Sequence, residues 1–161
     1  MNGSRDLGIH LSSTTPISLH GYSDADWAGD LDDRTSTGAH IIFLGANPIS
    51  WNSTKQRTVA RSSTEAEYRA IAAVAVEIEW VKSLLTELGV RLSNSLALYS
   101  DNLGVTYLCT NPVFHSRMKH LAIDYHFVVT WFSLMLCVLF IFPVLTSLPM
   151  HLPSLLLARD F

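Results

Sequence analysis

Apolar and polar positions alternate along Ser18–Ala25, Thr37–Leu44 and Ile49–Ser53, with polar turns at Gly29–Arg34 and Gly45–Pro48 between them. A period of two with short connections predicts three antiparallel strands in a meander. The period then changes. From Ile71 through Val74, Ile78, Val81, Leu85 and Leu88 the apolar residues recur at steps of three and four, which is one face of a helix. Ser62 with Glu65 three residues on forms a capping box, and Gly89 supplies a left-handed stop, so the helix runs from about Ser63 to Leu88. Leu96–Ser100 is a short apolar run suited to a buried strand. Because it follows a helix, it is expected to pair in parallel with the first strand through a crossover. The class implied is α/β, with a mixed sheet.

Candidate chemistry sits at the ends of these elements. The tripeptide Tyr-Ser-Asp occurs twice, as Tyr22-Ser23-Asp24 and Tyr99-Ser100-Asp101, each closing a strand-like run. Extended one step back, the helical stripe lands on Glu67, whereas Glu65, Glu77 and Glu79 fall off it. Glu67 is therefore expected to point at the sheet, where an unpartnered carboxylate is costly; the alternative is an early-turn Glu placed for the helix dipole. Asp24 and Asp101 fall at the carboxyl ends of neighbouring parallel strands, where open α/β sheets place ligands. Carboxylates gathered there raise one another's pKa unless a divalent cation neutralises them, so the pattern points to a magnesium site for phosphoryl transfer. Asp26 shares the pleat face of Asp24, and alternation alone does not choose between them.

Composition narrows the setting. A chain of 161 residues with 48% hydrophobic content supports one domain with a core. A net charge of −3 excludes a polycationic nucleic-acid binder, so any such contact is local. The local candidates are Lys55, Arg57 and Arg61, together with Arg117, Lys119 and His120, which could line a face for phosphates. Cys109 and Cys137 lack metal spacing and are too few for a disulfide framework, and Met1–His20 lacks the pattern of a secretory leader; an intracellular setting, cytoplasmic or nuclear, is expected. Asp30, Asp32 and Asp33 lack the Glu that closes a calcium loop and read as a polar turn. Trp27, Trp51 and Trp80 are expected in the core or on its edge. His115, His120 and His126 form no spaced zinc set.

Four segments carry a resemblance. Gly21-Tyr22-Ser23-Asp24-Ala25-Asp26-Trp27-Ala28-Gly29-Asp30, Arg61-Ser62-Ser63-Thr64-Glu65-Ala66-Glu67-Tyr68, Tyr99-Ser100-Asp101-Asn102 and Asn111-Pro112-Val113-Phe114-His115-Ser116-Arg117-Met118-Lys119-His120 resemble, in order, the ribonuclease H domain of copia-type LTR retrotransposon Pol polyproteins. The resemblance covers roughly Arg5 to Val128. It implies a ribonuclease H-like fold, three antiparallel strands followed by helix-crossed parallel strands, that cuts the RNA strand of RNA–DNA hybrids. It implies a reverse transcriptase domain as neighbour in the parent polyprotein, and residues 1–17 look like the connection that follows it. Asp24, Glu67 and Asp101 match three of the family's metal-binding catalytic carboxylates, which selects Asp24 over Asp26. Two magnesium ions about 4 Å apart, or manganese in their place, would be the cofactors.

The chain departs from that pattern near its end. The family's fourth carboxylate stands in a motif Ala-Asp-x-Leu-Thr-Lys-Pro that does not occur here, and Ala122 stands where relatives commonly carry an acidic residue. After His126 the only charged residues are Arg159 and Asp160. Leu148–Leu157 can be back-translated so that a shifted frame reads Ala-Asp-Ala-Leu-Thr-Lys-Pro-Leu-Ala, which implies a frameshift shortly after His126. The expected division is residues 18–128 as the ribonuclease H-like domain and 129–161 as an aberrant apolar tail in place of the last strand and helix. A rival reading makes Phe127–Leu148 a membrane-spanning helix flanked by Arg117, Lys119 and His120. Three function classes follow: a metal-dependent ribonuclease weakened or silenced by the tail, a non-catalytic nucleic-acid-binding remnant, and a membrane-anchored interaction protein.

Overall fold

A computed structural model describes residues 8–93, 96–102, 128, 130, 131 and 138–141. The strands are β1 (Leu19–Asp26), β2 (Thr37–Leu44), β3 (Asn47–Lys55), β4 (Ala97–Ser100) and β5 (Val138–Ile141), with one helix, α1 (Ser63–Glu87), between β3 and β4. They form a single sheet of order β3-β2-β1-β4-β5. β1 and β2 pair antiparallel, as do β2 and β3, while β4 runs parallel to β1 and β5 parallel to β4. The meander, the crossover and the parallel return agree with the sequence reading. The position next to β4 is filled by Val138–Ile141, from within the apolar tail.

The ends of α1 follow from its caps. Ser62 is extended, and its hydroxyl accepts from the Glu65 amide at 3.2 Å; after the cap residue Leu88, Gly89 turns left-handed at φ 73°. A left-handed glycine costs little, which is why the helix stops there. Glu65 departs from expectation: it lies off the apolar stripe yet is 2% exposed. Its carboxylate reaches back to the Arg61 amide at 2.9 Å and pairs with Arg69 at 2.6 Å, so the segment before the helix folds over the first turn and covers it.

The stripe Ile71, Val74, Ile78, Val81 and Leu85 packs with Leu19, Ile42, Leu96 and Leu98, joined by Val128 and Trp131. Burying each such aliphatic side chain contributes roughly 1.5–3 kcal/mol. Gly21 sets the closeness of this contact. A Cβ there would stand 3.0 Å from Ile78 Cδ1 and 3.3 Å from Val74 Cγ2, a tight fit, so glycine lets β1 lie against the middle of α1 without displacing those side chains.

On the opposite face Tyr22 stacks on Tyr99 at 4.9 Å between ring centroids, with His20 stacked on Phe43 beside them. Tyr22 and Tyr99 are also register partners. This accounts for the repeated tripeptide: each Tyr joins the neighbouring strand, each Ser is buried (Ser23 and Ser100), and each Asp arrives at the same level of the sheet.

Several expectations change. Trp27, Trp51 and Trp80 are not core residues: they are 49%, 57% and 60% exposed. Among the described residues no helix is long and apolar enough to cross a membrane, and part of the segment read as a possible span is the strand β5. Arg117, Lys119, His120, His115 and His126 lie outside the described residues. Asp30 and Asp33 behave as turn formers: Asp30 accepts from the Asp32 amide at 2.9 Å, and Asp33 accepts from the Thr35 hydroxyl at 2.6 Å.

Candidate metal centre

Asp24 ends near the close of β1, Asp101 directly follows β4, and Glu67 stands in the second turn of α1. Three separate stretches of chain thus deliver three carboxylates, each offering one oxygen, and these oxygens all lie within 4.8 Å of one another. The geometry grows out of the fold. Parallel pairing of β1 with β4 sets Asp24 beside Asp101, the Tyr22–Tyr99 stack accompanies that register, and α1 brings Glu67 to the end of β1, where the Ala25 amide meets it.

Exposure differs among the three. Asp101 is exposed, Asp24 is half-buried and Glu67 is only 5% exposed. The Ala25 amide donates to Glu67 Oε1 at 3.2 Å, while Glu67 Oε2 is buried with no hydrogen-bond partner among the described residues. Burial pushes the Glu67 carboxyl up to about 8, with the charges of Asp24 and Asp101 adding to the effect and the Ala25 hydrogen bond opposing it. Asp24 is also raised, first by burial and then by the Asp101 charge; the Ala25 backbone bond opposes this and Asp26 adds to it. Left to itself, then, the cluster keeps a proton on Glu67 at neutral pH.

These residues fit a divalent cation. The donor set is all oxygen, which suits hard ions, and one buried oxygen of Glu67 has no hydrogen-bond partner among the described residues. A cation would satisfy Glu67 Oε2 and expel its proton together. Asp26 does not join the three: its carboxylate folds over the backbone of Gly29, filling the space where a side chain there would begin.

The basic residues divide. Lys55 Nζ bridges Asp30 and Asp33 at 2.7 Å each, bracing the loop between β1 and β2, so its charge is matched locally. Arg57 and Arg61 are exposed in the segment leading into α1. Sequence reasoning missed the Ala25 amide, which orients Glu67; a backbone donor leaves no residue-type signal to read.

No family model matches the chain. It is 60% identical over 126 residues to the retrovirus-related Pol polyprotein from transposon RE2 of Arabidopsis thaliana, which covers 78% of this chain and 9% of that polyprotein; RE1 of the same plant matches to the same extent. The chain therefore spans about a tenth of the length of these curated relatives. Among solved structures, LC11-RNase H1 isolated from compost superposes with a TM-score of 0.60 at 12% identity, over 80% of this chain and 86% of that one. The same enzyme in complex with an RNA/DNA hybrid superposes with a TM-score of 0.51 at 10% identity, over 79% and 86%. The prototype foamy virus protease-reverse transcriptase matches with a TM-score of 0.55 at 9% identity, over 83% of this chain and 18% of that one. The structural matches establish the fold alone, and the plant relatives extend it to a family: this chain belongs to the copia-type, retrovirus-related Pol polyproteins, as a segment with the ribonuclease H fold.

Proposed function

We propose that this segment is the ribonuclease H of a retrotransposon Pol polyprotein, hydrolysing the RNA strand of RNA–DNA hybrids with divalent cations held by Asp24, Glu67 and Asp101. The observation that carries the reading is the convergence of three carboxylates, each with one oxygen within 4.8 Å of the others, one of them a buried Glu with an oxygen that has no hydrogen-bond partner among the described residues. In the parent polyprotein the segment would act beside a reverse transcriptase, clearing template RNA. Magnesium ions, or manganese, when bound at such a cluster, supply a more acidic water and charge neutralisation at the scissile phosphate.

The remaining steps belong to the chain. Asp24 and Asp101, fixed at adjacent strand ends, present oxygens from one side, and α1 brings Glu67 from the other. The Ala25 amide holds Oε1 of Glu67 and so fixes the carboxylate at the end of β1. Release of the Glu67 proton sets the pH above which all three oxygens are free to bind. Exposed Arg57 and Arg61 supply phosphate contacts of the kind that position nucleic acid without reading sequence.

A second reading, nucleic-acid binding with little or no turnover, is favoured by one observation: the Ala-Asp-x-Leu-Thr-Lys-Pro motif that carries the family's fourth carboxylate is absent from the chain. Both are tested by incubating the purified chain with a labelled RNA–DNA hybrid and magnesium, alongside Asp101→Asn. Cleavage by the parent that is lost in the variant establishes the nuclease. Binding without cleavage establishes the remnant. Neither binding nor cleavage would sink both.

A further inference from the structure

Trp27 is the exposed aromatic residue nearest in sequence to the carboxylates, and nothing derived so far uses it. It stands three residues after Asp24, on the loop between β1 and β2. The residue is 49% exposed. It is nonetheless held: its indole Nε1 donates to the Ala60 carbonyl at 3.1 Å, and Ala60 itself is buried. Pinning one edge of a ring while half its surface stays in water orients a face.

The surrounding loop is braced for that purpose. Ala28, the next residue, adopts φ 54°, a left-handed conformation unfavourable for a residue with a Cβ, and its amide donates to Ser36 Oγ at 3.1 Å. Lys55 ties the far side of the loop to the sheet through Asp30 and Asp33. Strain of this kind persists where the surroundings overdetermine it, and such positions cluster at functional sites. The bond to Ala60 also places the indole beside the segment that carries exposed Arg57, Val59 and Arg61. An exposed apolar ring held beside a segment that carries exposed arginines matches a sugar-phosphate backbone, whose sugar faces are apolar and whose phosphates are anionic.

We infer that Trp27 is a positioning residue for the nucleic-acid duplex: its exposed indole face packs against sugars of the bound strand and, with Arg57 and Arg61, seats the backbone next to the three carboxylates. The inference rests on the proposed nuclease reading. The binding partner is a duplex with sugar-phosphate backbone, and contact with sugars rather than base edges makes the effect independent of sequence.

The test is fluorescence anisotropy with a labelled RNA–DNA hybrid in calcium buffer, on the full chain, comparing the parent with Trp27→Ala, Trp27→Phe and Trp51→Ala. Trp27→Ala should weaken binding about tenfold, in keeping with aromatic contacts to nucleic acid. Trp27→Phe, which keeps a ring but loses the N–H donor, should recover most of the affinity, and Trp51→Ala, an exposed tryptophan within β3, should bind like the parent. In magnesium, KM should rise for Trp27→Ala while kcat changes little. Unchanged affinity in Trp27→Ala would overturn the inference. So would equal weakening in Trp27→Phe, because the bond to Ala60 and not the ring face would then be responsible. A parent that binds no hybrid would instead refute the nuclease reading, and this inference would fall with it.

Discussion

Replacing Glu67 by Gln should change stability with a pH dependence of definite sign. The ordinary carboxyl value of 4.5 is pushed to about 8 by burial and by the Asp24 and Asp101 charges. Between those limits the folded chain holds a proton that the unfolded chain has released, so the folded state loses stability as pH rises through that window and the loss is complete above about 8. At about 1.4 kcal/mol per pH unit, the gap sets a ceiling of roughly 5 kcal/mol. Asp101 is exposed and Asp24 half-buried, so water screens part of the repulsion, and about 1–3 kcal/mol is the working expectation between pH 5.5 and 8.5. Gln has nearly the same shape and never ionises. Urea denaturation in a chelator at the two pH values should therefore show Glu67→Gln gaining stability over the parent as pH rises. Added magnesium at pH 8.5 should then raise the parent midpoint more than that of Glu67→Gln, since the parent alone recovers a bound carboxylate. A difference between parent and variant that stays flat with pH, or shrinks, would refute the buried, cation-seeking Glu67.

Asp101→Asn should abolish hybrid cleavage while leaving the thermal midpoint close to the parent's, because Asp101 is exposed; activity assays and a melting curve check both. Gly21→Val should destabilise the chain by roughly 1–3 kcal/mol, since its Cβ alone would stand 3.0 Å from Ile78 Cδ1, and the extra methyls must push α1 from β1. Displacing α1 from β1 should also weaken metal binding, because α1 carries Glu67 while Asp24 stands on β1; isothermal titration with magnesium reads this. Arg34→Gly should raise stability by about 0.5–1 kcal/mol, as Arg34 holds φ 58°, which glycine adopts without a Cβ penalty. A lowered denaturation midpoint would contradict that reading.

Most of the sheet and the helix were legible because local signals and tertiary demands agree. Ser62 and Gly89 mark both ends of α1, and the apolar stripe from Ile71 to Leu85 is the face that is buried. The three carboxylates were legible for the same reason, as each sits where an element's periodicity aims it at the strand ends. Choosing Asp24 over Asp26 was not possible from alternation, since both share a face. What separates them is three-dimensional: the Ala25 amide fixes Glu67 beside Asp24, whereas Asp26 folds over Gly29. The burial of Glu65 escaped notice because a loop distant from the stripe covers it, and the exposure of three tryptophans escaped because ring size alone says only that burial is favourable. Lys55 read as a free cation for phosphates, and only the folded loop shows Asp30 and Asp33 beside it.

β5 carries a consequence of its own. Among the described residues it lies at the margin of the sheet, parallel to β4, and bonds to the sheet along one side. A central strand must satisfy two neighbours and two faces at once, whereas a margin position asks for little more than a short run that can extend and donate its backbone. Counted as information, that slot is undemanding, and many unrelated strings would fill it as Val138-Leu139-Phe140-Ile141 does. The innermost strand is the opposite case: Gly21, Tyr22 and Asp24 are each constrained by a different partner, and almost any rewriting there would be read as an error.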